Sequence, residues 1–563
     1  MNLISKSGDK SVVAGFTLGQ VRFSPAVLIT AFVLLIRLPN AFYAGMDWDE
    51  TTYSMVAVEI LKGHLPYTVV FDHKPMGLYW VFAAFIGMFG YDPFATRLMA
   101  IAAVAGAAIT LHHIATKRFG LSAGAALVLA LIYAFATGGI GGSAVNSEIL
   151  INAATMGWLA LLLKNPERPG ALSLLGAGAL MAWGVQFNYL AGALIVGFVA
   201  GYGVLAWTVR SSLVERARFF ALNGLTIFAG FALMNLAILA PLLVTGLFPS
   251  YFAEQTQYLS GYKPDIDNLR DMMLQLERSL PYLTAPVAIV ACAIWMAFRR
   301  TPAAPPVGGV SFNALSIVVG GVLLGAAAAA LTSGRFYPHY FLQVLPPLFV
   351  LLALSLAAVL REPALRTLAM GVLAASGAMM GGDALAFDAR GIKGAVEAVL
   401  GLPPTADPYR ALAADLRPRL AKDETIYVAC EHHVLYELLD VTAPTKYPYY
   451  MHHLDSIMSA ALKIDPKVEL AHIAQKKPRF VVLGDFPRCT GVTPANYDMV
   501  VDTFTKAGYR LDGRYFNGRI FVSNNERDVA PVNSKMRLAV AGTSGMIVAE
   551  PSARKTAFKS LPQ

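Results

Sequence analysis

The side chains best suited to chemistry are concentrated between Gly45 and Arg97. Here the acids Asp47, Asp49, Glu50 and Asp72, together with Lys74 and Arg97, alternate with Tyr, Trp and Phe. A carboxylate in such a segment can act as a general base towards a hydroxyl nucleophile. A lysine can meet a phosphate as a point charge, and an arginine can grip one with two parallel hydrogen bonds. Lys74 precedes Pro75, which removes a backbone donor and fixes the chain locally, so its ammonium is a candidate phosphate ligand. Each residue also has a plainer reading. Asp49 and Glu50 suit the N-terminus of a helix starting near Thr52, and Lys74 could be an interfacial lysine snorkelling from its apolar stem. Tyr53 shares the segment and joins Asp47 and Asp72 as a further site candidate.

Outside the segment, Glu148 in GGSAVNSEIL opens an apolar run, where an acid either complements the helix dipole or serves a site. His339, between Pro338 and Tyr340, could meet a phosphate or acceptor, or be packed among its aromatic neighbours. Arg97 opens an apolar run and Arg335 closes one, so both are candidates to hold an anion beside Lys74. Asp47-Trp48-Asp49 reads as a DxD motif whose oxygens suit Mg or Mn. That motif belongs after a strand of a soluble sheet, whereas here it follows an apolar helix. The divalent-metal reading therefore weighs less, and no cofactor is assigned. The adjacent pairs His432-His433 and His452-His453 are poor chelates for one ion. Cys292, Cys430 and Cys489 show no metal spacing.

These groups must be positioned by a membrane protein. The chain has 563 residues, 56% hydrophobic and only 14% charged, too apolar for a soluble globular protein. The net charge of +9 arises from basic residues scattered over short loops, without the aromatic-interleaved patch of a nucleic-acid binder. Residues 1–23 are polar and carry no cleavage-site pattern, so a cytoplasmic N-terminus is expected. About eleven spans are expected: 24–43, 94–116, 122–139, 148–163, 172–187, 191–209, 219–245, 281–298, 315–332, 340–360 and 365–380. Lys117-Arg118, Lys164, Arg168, Arg210, Arg299-Arg300 and Arg361 then fall in the cytoplasm by the positive-inside rule. The run Gly77–Gly90 holds about 14 residues against the roughly 20 a span needs, so it should lie in the interface or be re-entrant. The acidic clusters then share the outer face.

From about Asp383 the composition becomes that of a soluble domain. Helices at 409–420, 468–475 and 497–507, strands at 425–430 and 480–483, and a hairpin at 509–523 turning at Asn517-Gly518 predict a small extracytoplasmic α/β unit. The expected organisation is a cytoplasmic segment (1–23), a transmembrane catalytic domain (24–382) with its first external loop at 44–97, the α/β domain (383–523), and a disordered tail (524–563).

The ordered series Asp49-Glu50, Tyr53, Ile60-Leu61, Gly63, Pro66-Tyr67, Asp72, Lys74-Pro75, Tyr79-Trp80, Phe89-Gly90 and Arg97-Leu98 resembles the first external loop of GT-C membrane glycosyltransferases. The group concerned is that of the protein O-mannosyltransferases and the lipid A aminoarabinose transferase. Gly334 to Tyr340, followed by Leu345-Pro346-Pro347, resembles the same group. The resemblance implies a mainly α, polytopic GT-C fold and a polyprenyl-phosphate-linked sugar donor. It implies Asp49 as general base, Glu50 as its structural neighbour, phosphate binding by Lys74, inversion at the sugar, and a second acid at Glu148, where the aminoarabinose group typically has aspartate. The acceptor, whether glycan, lipid or protein, is left open. A transporter or flippase of a lipid-linked saccharide is the alternative from another class, although no internal repeat is visible. A non-catalytic subunit is a third.

Overall fold

In the computed structural model the described residues are 16–18, 21–261, 312–332, 337–359, 389–486, 489 and 491–524, with isolated positions between. The segments 1–15 and 525–563, Arg335 and nearly all of the apolar runs 281–298 and 365–380 lie outside them.

The membrane part opens with α1 (Pro25–Arg37), which begins where Ser24 accepts from the Val27 amide and Pro25 presets the first helical φ. It runs through a 3₁₀ turn into the loop carrying α2 (Trp48–Leu61) and α3 (Met76–Phe89). Then come α4 (Pro93–Lys117), α5 (Ala123–Gly139), α6 (Ser147–Leu162), α7 (Ala171–Phe187), α8 (Ala191–Val209) and α9 (Leu213–Val244). Beyond α10 (Phe248–Gly261) the described helices are α11 (Phe312–Thr332) and, after a 3₁₀ segment at Pro338–Val344, α12 (Leu345–Val359). Nine of the eleven expected spans therefore coincide with helices among the described residues. Six helical stretches among these are long and apolar enough to cross a bilayer. The 14 residues of α3 rise only about 21 Å, short of a hydrocarbon core about 30 Å thick, as the length of its run predicts.

Small residues bring the long helices together, as expected where lipid removes a hydrophobic drive for association. A β-carbon on Gly197 of α8 would lie 2.1 Å from the Gly321 carbonyl oxygen of α11, and one on Gly178 of α7 would lie 1.9 Å from the Ile227 carbonyl oxygen of α9. No larger side chain fits either crossing.

The C-terminal domain is a four-stranded sheet of order β3-β4-β6-β5, written here with the N-terminal hairpin as β1 (Phe16–Leu18) and β2 (Val21–Phe23). Its strands are β3 (Ile426–Ala429), β4 (Phe480–Gly484), β5 (Tyr509–Tyr515) and β6 (Gly518–Ser523); β3 and β4 are parallel, and the rest antiparallel. Helices α13 (Pro408–Leu416), α14 (Val434–Leu439), α15 (Met451–Leu454), α16 (Ser456–Leu462), α17 (Pro466–Gln475) and α18 (Pro494–Lys506) cover it. The expected strands and hairpin are present, and the three short helices α14 to α16 are additional. Cys430 and Cys489 form a disulfide between the end of β3 and the loop after β4. The domain docks on the first loop: the Phe71 amide donates to the Lys446 carbonyl at 2.7 Å, Arg410 grips Asp92 with two hydrogen bonds, and Lys446 pairs with Glu254 of α10 at 2.9 Å.

Candidate functional site

Asp47 adopts an extended backbone, and its carboxylate accepts from the Asp49 amide at 2.9 Å, which makes it the N-cap of α2. The helix thus starts four residues before the expected Thr52, and neither Asp49 nor Glu50 is the cap. Both occupy the first turn, where successive residues point about 100° apart.

Glu50 turns inward. It is 2% exposed and paired in fork geometry with Arg97, itself 2% exposed: Arg97 Nε donates to Oε2 at 2.9 Å and Nη2 to Oε1. The Val145 amide donates to the same carboxylate at 2.9 Å. The remaining Arg97 donors reach the carbonyls of Asn40, Tyr43 and Ala44 and the Met46 sulfur. Arg97 is therefore enclosed by the loop's own acceptors, and the pair sews the first loop to the segment preceding α6.

Asp49 turns the other way. Its side chain keeps 31% exposure, and its Oδ2 accepts from the Tyr53 hydroxyl at 2.9 Å, one helical turn on, and lies 3.9 Å from Lys74 Nζ. The ammonium is 6.0 Å from the Tyr53 ring centroid. The Lys74 carbonyl accepts from the hydroxyls of Tyr67 and Tyr79, so the backbone carrying the lysine is fixed before Pro75 caps α3. Asp72, 3% exposed, accepts from the Tyr79 hydroxyl at 2.7 Å. Glu148 is 1% exposed and accepts from Ser147 and from Asn188, both at 3.2 Å. His339 stacks with Tyr337 and lies within electrostatic reach of Asp49, Glu148 and Lys74. Gly141 lets the chain pass beside it, since a β-carbon there would sit 3.3 Å from the His339 amide nitrogen.

Of the sequence candidates, the structure thus brings Asp49, Tyr53, Asp72, Lys74, Glu148 and His339 around one locality. It sets Glu50 and Arg97 apart as a buried pair and gives Asp47 to the cap.

Electrostatics divides the two acids of the DxD motif. Burial pushes the Asp47 carboxyl well above the usual carboxylate range, and the neighbouring Asp49 and Glu50 push it further. Burial pulls Asp49 the same way, but Lys74 and then His339 overcome it and hold Asp49 below the ordinary value. For Asp72, burial is outweighed by His73 first, with help from Lys74 and Tyr79, and the net direction is again down. Two acids pushed in opposite directions, one of them serving as a helix cap, form a poor oxygen cage for a divalent ion.

A different set fits a metal better. Ligand atoms of Asp72, His73 and His452 lie within 4.8 Å of one another, joining the first loop to α15 of the C-terminal domain. Burial holds His452 down at about 3, so its imidazole is neutral and offers one unprotonated ring nitrogen as a ligand. The pattern His452-His453 could not reveal this, because the partners lie almost 380 positions away in sequence and only docking of the domain unites them.

No family model and no curated protein matches the chain. Its fold is similar to that in the crystal structure of ArnT from Cupriavidus metallidurans in the apo state, with a TM-score of 0.54 at 14% identity, covering 88% of this chain and 97% of that one. The fold is of the GT-C type, polytopic and mainly helical, with a small C-terminal sheet domain.

Proposed function

We propose that this chain transfers a sugar from a polyprenyl-phosphate donor to an acceptor hydroxyl at the outer face of the membrane, with Asp49 as general base. The observation that carries the reading is the asymmetry of the two first-turn acids: Glu50 is consumed by Arg97, while Asp49 stays partly open, 3.9 Å from the Lys74 ammonium. A partly open carboxylate beside a buried cation is what a hydroxyl nucleophile and a phosphate leaving group need at one place. The acceptor oxygen attacks the anomeric carbon, the carbon–oxygen bond to phosphate breaks with its electron pair going to the phosphate, and the hydroxyl proton passes to Asp49. Lys74 stabilises the charge growing on the departing lipid phosphate. As the lysine turns to that phosphate it releases its hold on Asp49, and the second anion nearby raises the proton affinity of the base when a proton must be taken.

Tyr53 orients the Asp49 carboxylate, Asp72 keeps the Tyr79 hydroxyl and the loop in place, and His339 and Glu148 lie within electrostatic reach of Asp49 and Tyr53 respectively. In this reading Glu50 and Arg97 hold the loop rather than touch the donor. The Cys430–Cys489 disulfide supports an oxidising compartment for the C-terminal domain, and thus the outer face for the loop it covers. A transporter would instead place its charges on broken helices near the midplane.

The test is purified protein supplied with polyprenyl-phosphate mannose or polyprenyl-phosphate aminoarabinose and an envelope extract as acceptor. Asp49→Asn leaves the fold intact, because Asp47 is the cap, and should lower turnover about 10²- to 10⁴-fold while donor binding persists. Lys74→Ala should weaken binding and turnover together. Wild-type turnover in Asp49→Asn ends the assignment.

A further inference from the structure

Besides its contacts at Phe71 and Asp92, the C-terminal domain meets the first loop along one turn, Asp47 to Thr52. After β3 the chain bends at Cys430, whose φ of 54° lies in the left-handed region that side-chain-bearing residues seldom adopt, and the disulfide to Cys489 secures that bend. The next three residues are all buried. Glu431 accepts from the hydroxyls of Tyr409 at 2.7 Å and Tyr515 at 2.9 Å, and from the His432 amide at 2.8 Å. His432 Nδ1 accepts from the Val434 amide at 3.2 Å, and both imidazoles pack against α2.

There they meet Trp48. Its ring centroid lies 5.5 Å from that of His432, 6.0 Å from His433, 5.7 Å from Tyr449 and 5.2 Å from Tyr450, so four rings of one domain enclose an indole of the other. One turn along, His433 Nε2 is 2.8 Å from Thr52 Oγ1, and that hydroxyl is itself 3.1 Å from the Trp48 carbonyl oxygen. A threonine hydroxyl has one proton. If it goes to the carbonyl, His433 must donate, which fixes the neutral Nε2–H tautomer and leaves Nδ1, buried without a hydrogen-bond partner among the described residues, as the unprotonated nitrogen. Asp49 sits between the two held residues. Across the loop, Gly45 packs on Tyr409 so closely that a β-carbon would lie 2.2 Å from the ring, which closes the same turn from its other end.

We infer that His433 is a positioning residue for the transfer reaction: through Thr52 and Trp48 it fixes the first turn of α2 and thereby aims the Asp49 carboxylate at the place facing Lys74. The C-terminal domain is then a working part of the active site, although none of its residues need touch the donor. This inference rests on the reading of Asp49 as the base. Misplacing a reacting group by about 1 Å can cost about 10²-fold in rate, which sets the effect to look for.

The experiment uses the full-length protein in nanodiscs with two readouts: amide exchange over residues 44–54, and transfer kinetics with the two polyprenyl-phosphate sugars named above. His433→Ala should speed exchange in that segment by about tenfold or more with α4 unchanged, and should lower kcat about 10²-fold with the donor KM within about twofold. His433→Gln, which keeps an N–H donor and no charge, should restore both to within about threefold. If His433→Ala does not fold, Thr52→Val removes the same link from the helix side. Unchanged exchange, unchanged kcat, or equal losses in the Ala and Gln variants overturn the inference. Should the wild type turn over neither donor, the proposed function fails, and exchange alone then decides whether the clamp exists.

Discussion

Replacing Arg97 by glutamine separates a residue that holds the loop from one that binds phosphate. Arg97 offers five N–H groups, and all are directed at loop acceptors: both Glu50 oxygens, three carbonyls and a sulfur. Glutamine supplies two, leaving a carboxylate that is 3% exposed with the Val145 amide as its main remaining partner. Breaking one side of such a buried pair costs about 3–5 kcal/mol, because the surviving charge is stranded. Adding Glu50→Gln removes that charge, so the double variant should recover about 2 kcal/mol relative to the sum of the singles. Thermal unfolding in detergent across the four-member cycle measures this, with transfer assayed alongside. Arg97→Gln should be destabilised first and inactive as a consequence, and the double variant should regain both folding and some turnover. An Arg97→Gln protein of wild-type stability whose defect is confined to donor affinity would refute this and return Arg97 to the phosphate site.

Two further outcomes are expected. Alkylation of the non-reduced, fully denatured protein should label one thiol of three, Cys292, with Cys430 and Cys489 reacting only after reductant; labelling of all three would remove the argument for an oxidising compartment. His453 is buried and bonded to the Tyr427 hydroxyl at 2.8 Å, and burial lowers its pKa to about 3. The unfolded chain then binds a proton below about pH 6.5 that the folded one refuses, so this group's contribution to stability is intact at neutral pH and falls by about 1.4 kcal/mol per pH unit between pH 6 and 3. Asp49 and Asp72, held low, stay ionised in both states above about pH 5 and add no slope there, whereas Asp47 and Glu437, held high, work in the opposite sense. The measurement is therefore a difference: His453→Gln should flatten the stability–pH curve below pH 6 by about one proton relative to wild type, and parallel curves would contradict the burial argument.

Much of this was legible from residue order, for identifiable reasons. Spans such as Pro93–Lys117 are declared by length and apolarity, and the shortness of α3 follows from counting residues between Gly77 and Gly90. Lys74 and Asp49 could be placed in one loop because they lie 25 positions apart on it. Which acid faced which cation could not, because Asp49 and Glu50 are equivalent as letters and differ only in helical phase, and the phase is set by Asp47 taking the cap. Arg97 illustrates the same limit: an arginine opening a span reads as an anion ligand until its five donors are seen to be engaged. The Cys430–Cys489 bond joins positions 59 apart, and nothing in their spacing distinguishes that pairing from one involving Cys292. The helices α14 to α16 are short and buried on most sides, so they lack the amphipathic period that exposes longer ones.

The three carboxylates and one aromatic of Asp47-Trp48-Asp49-Glu50 show why the C-terminal domain and the loop must be considered together. Burying several acids within one turn is costly unless each is answered separately. Asp47 is answered by the helix it caps, Glu50 by Arg97 and Asp49 by Lys74, while Trp48, which answers none of them, is enclosed by His432, His433, Tyr449 and Tyr450. Trp48 therefore adds a hold on the first turn of α2 from the C-terminal domain, beside the one that Arg97 and the Val145 amide exert through Glu50. The aromatic box around the one apolar member of the quartet thus acts with the Asp47 cap and the Glu50–Arg97 pair to hold the helical phase in which Glu50 is tied down and Asp49 is left facing the site.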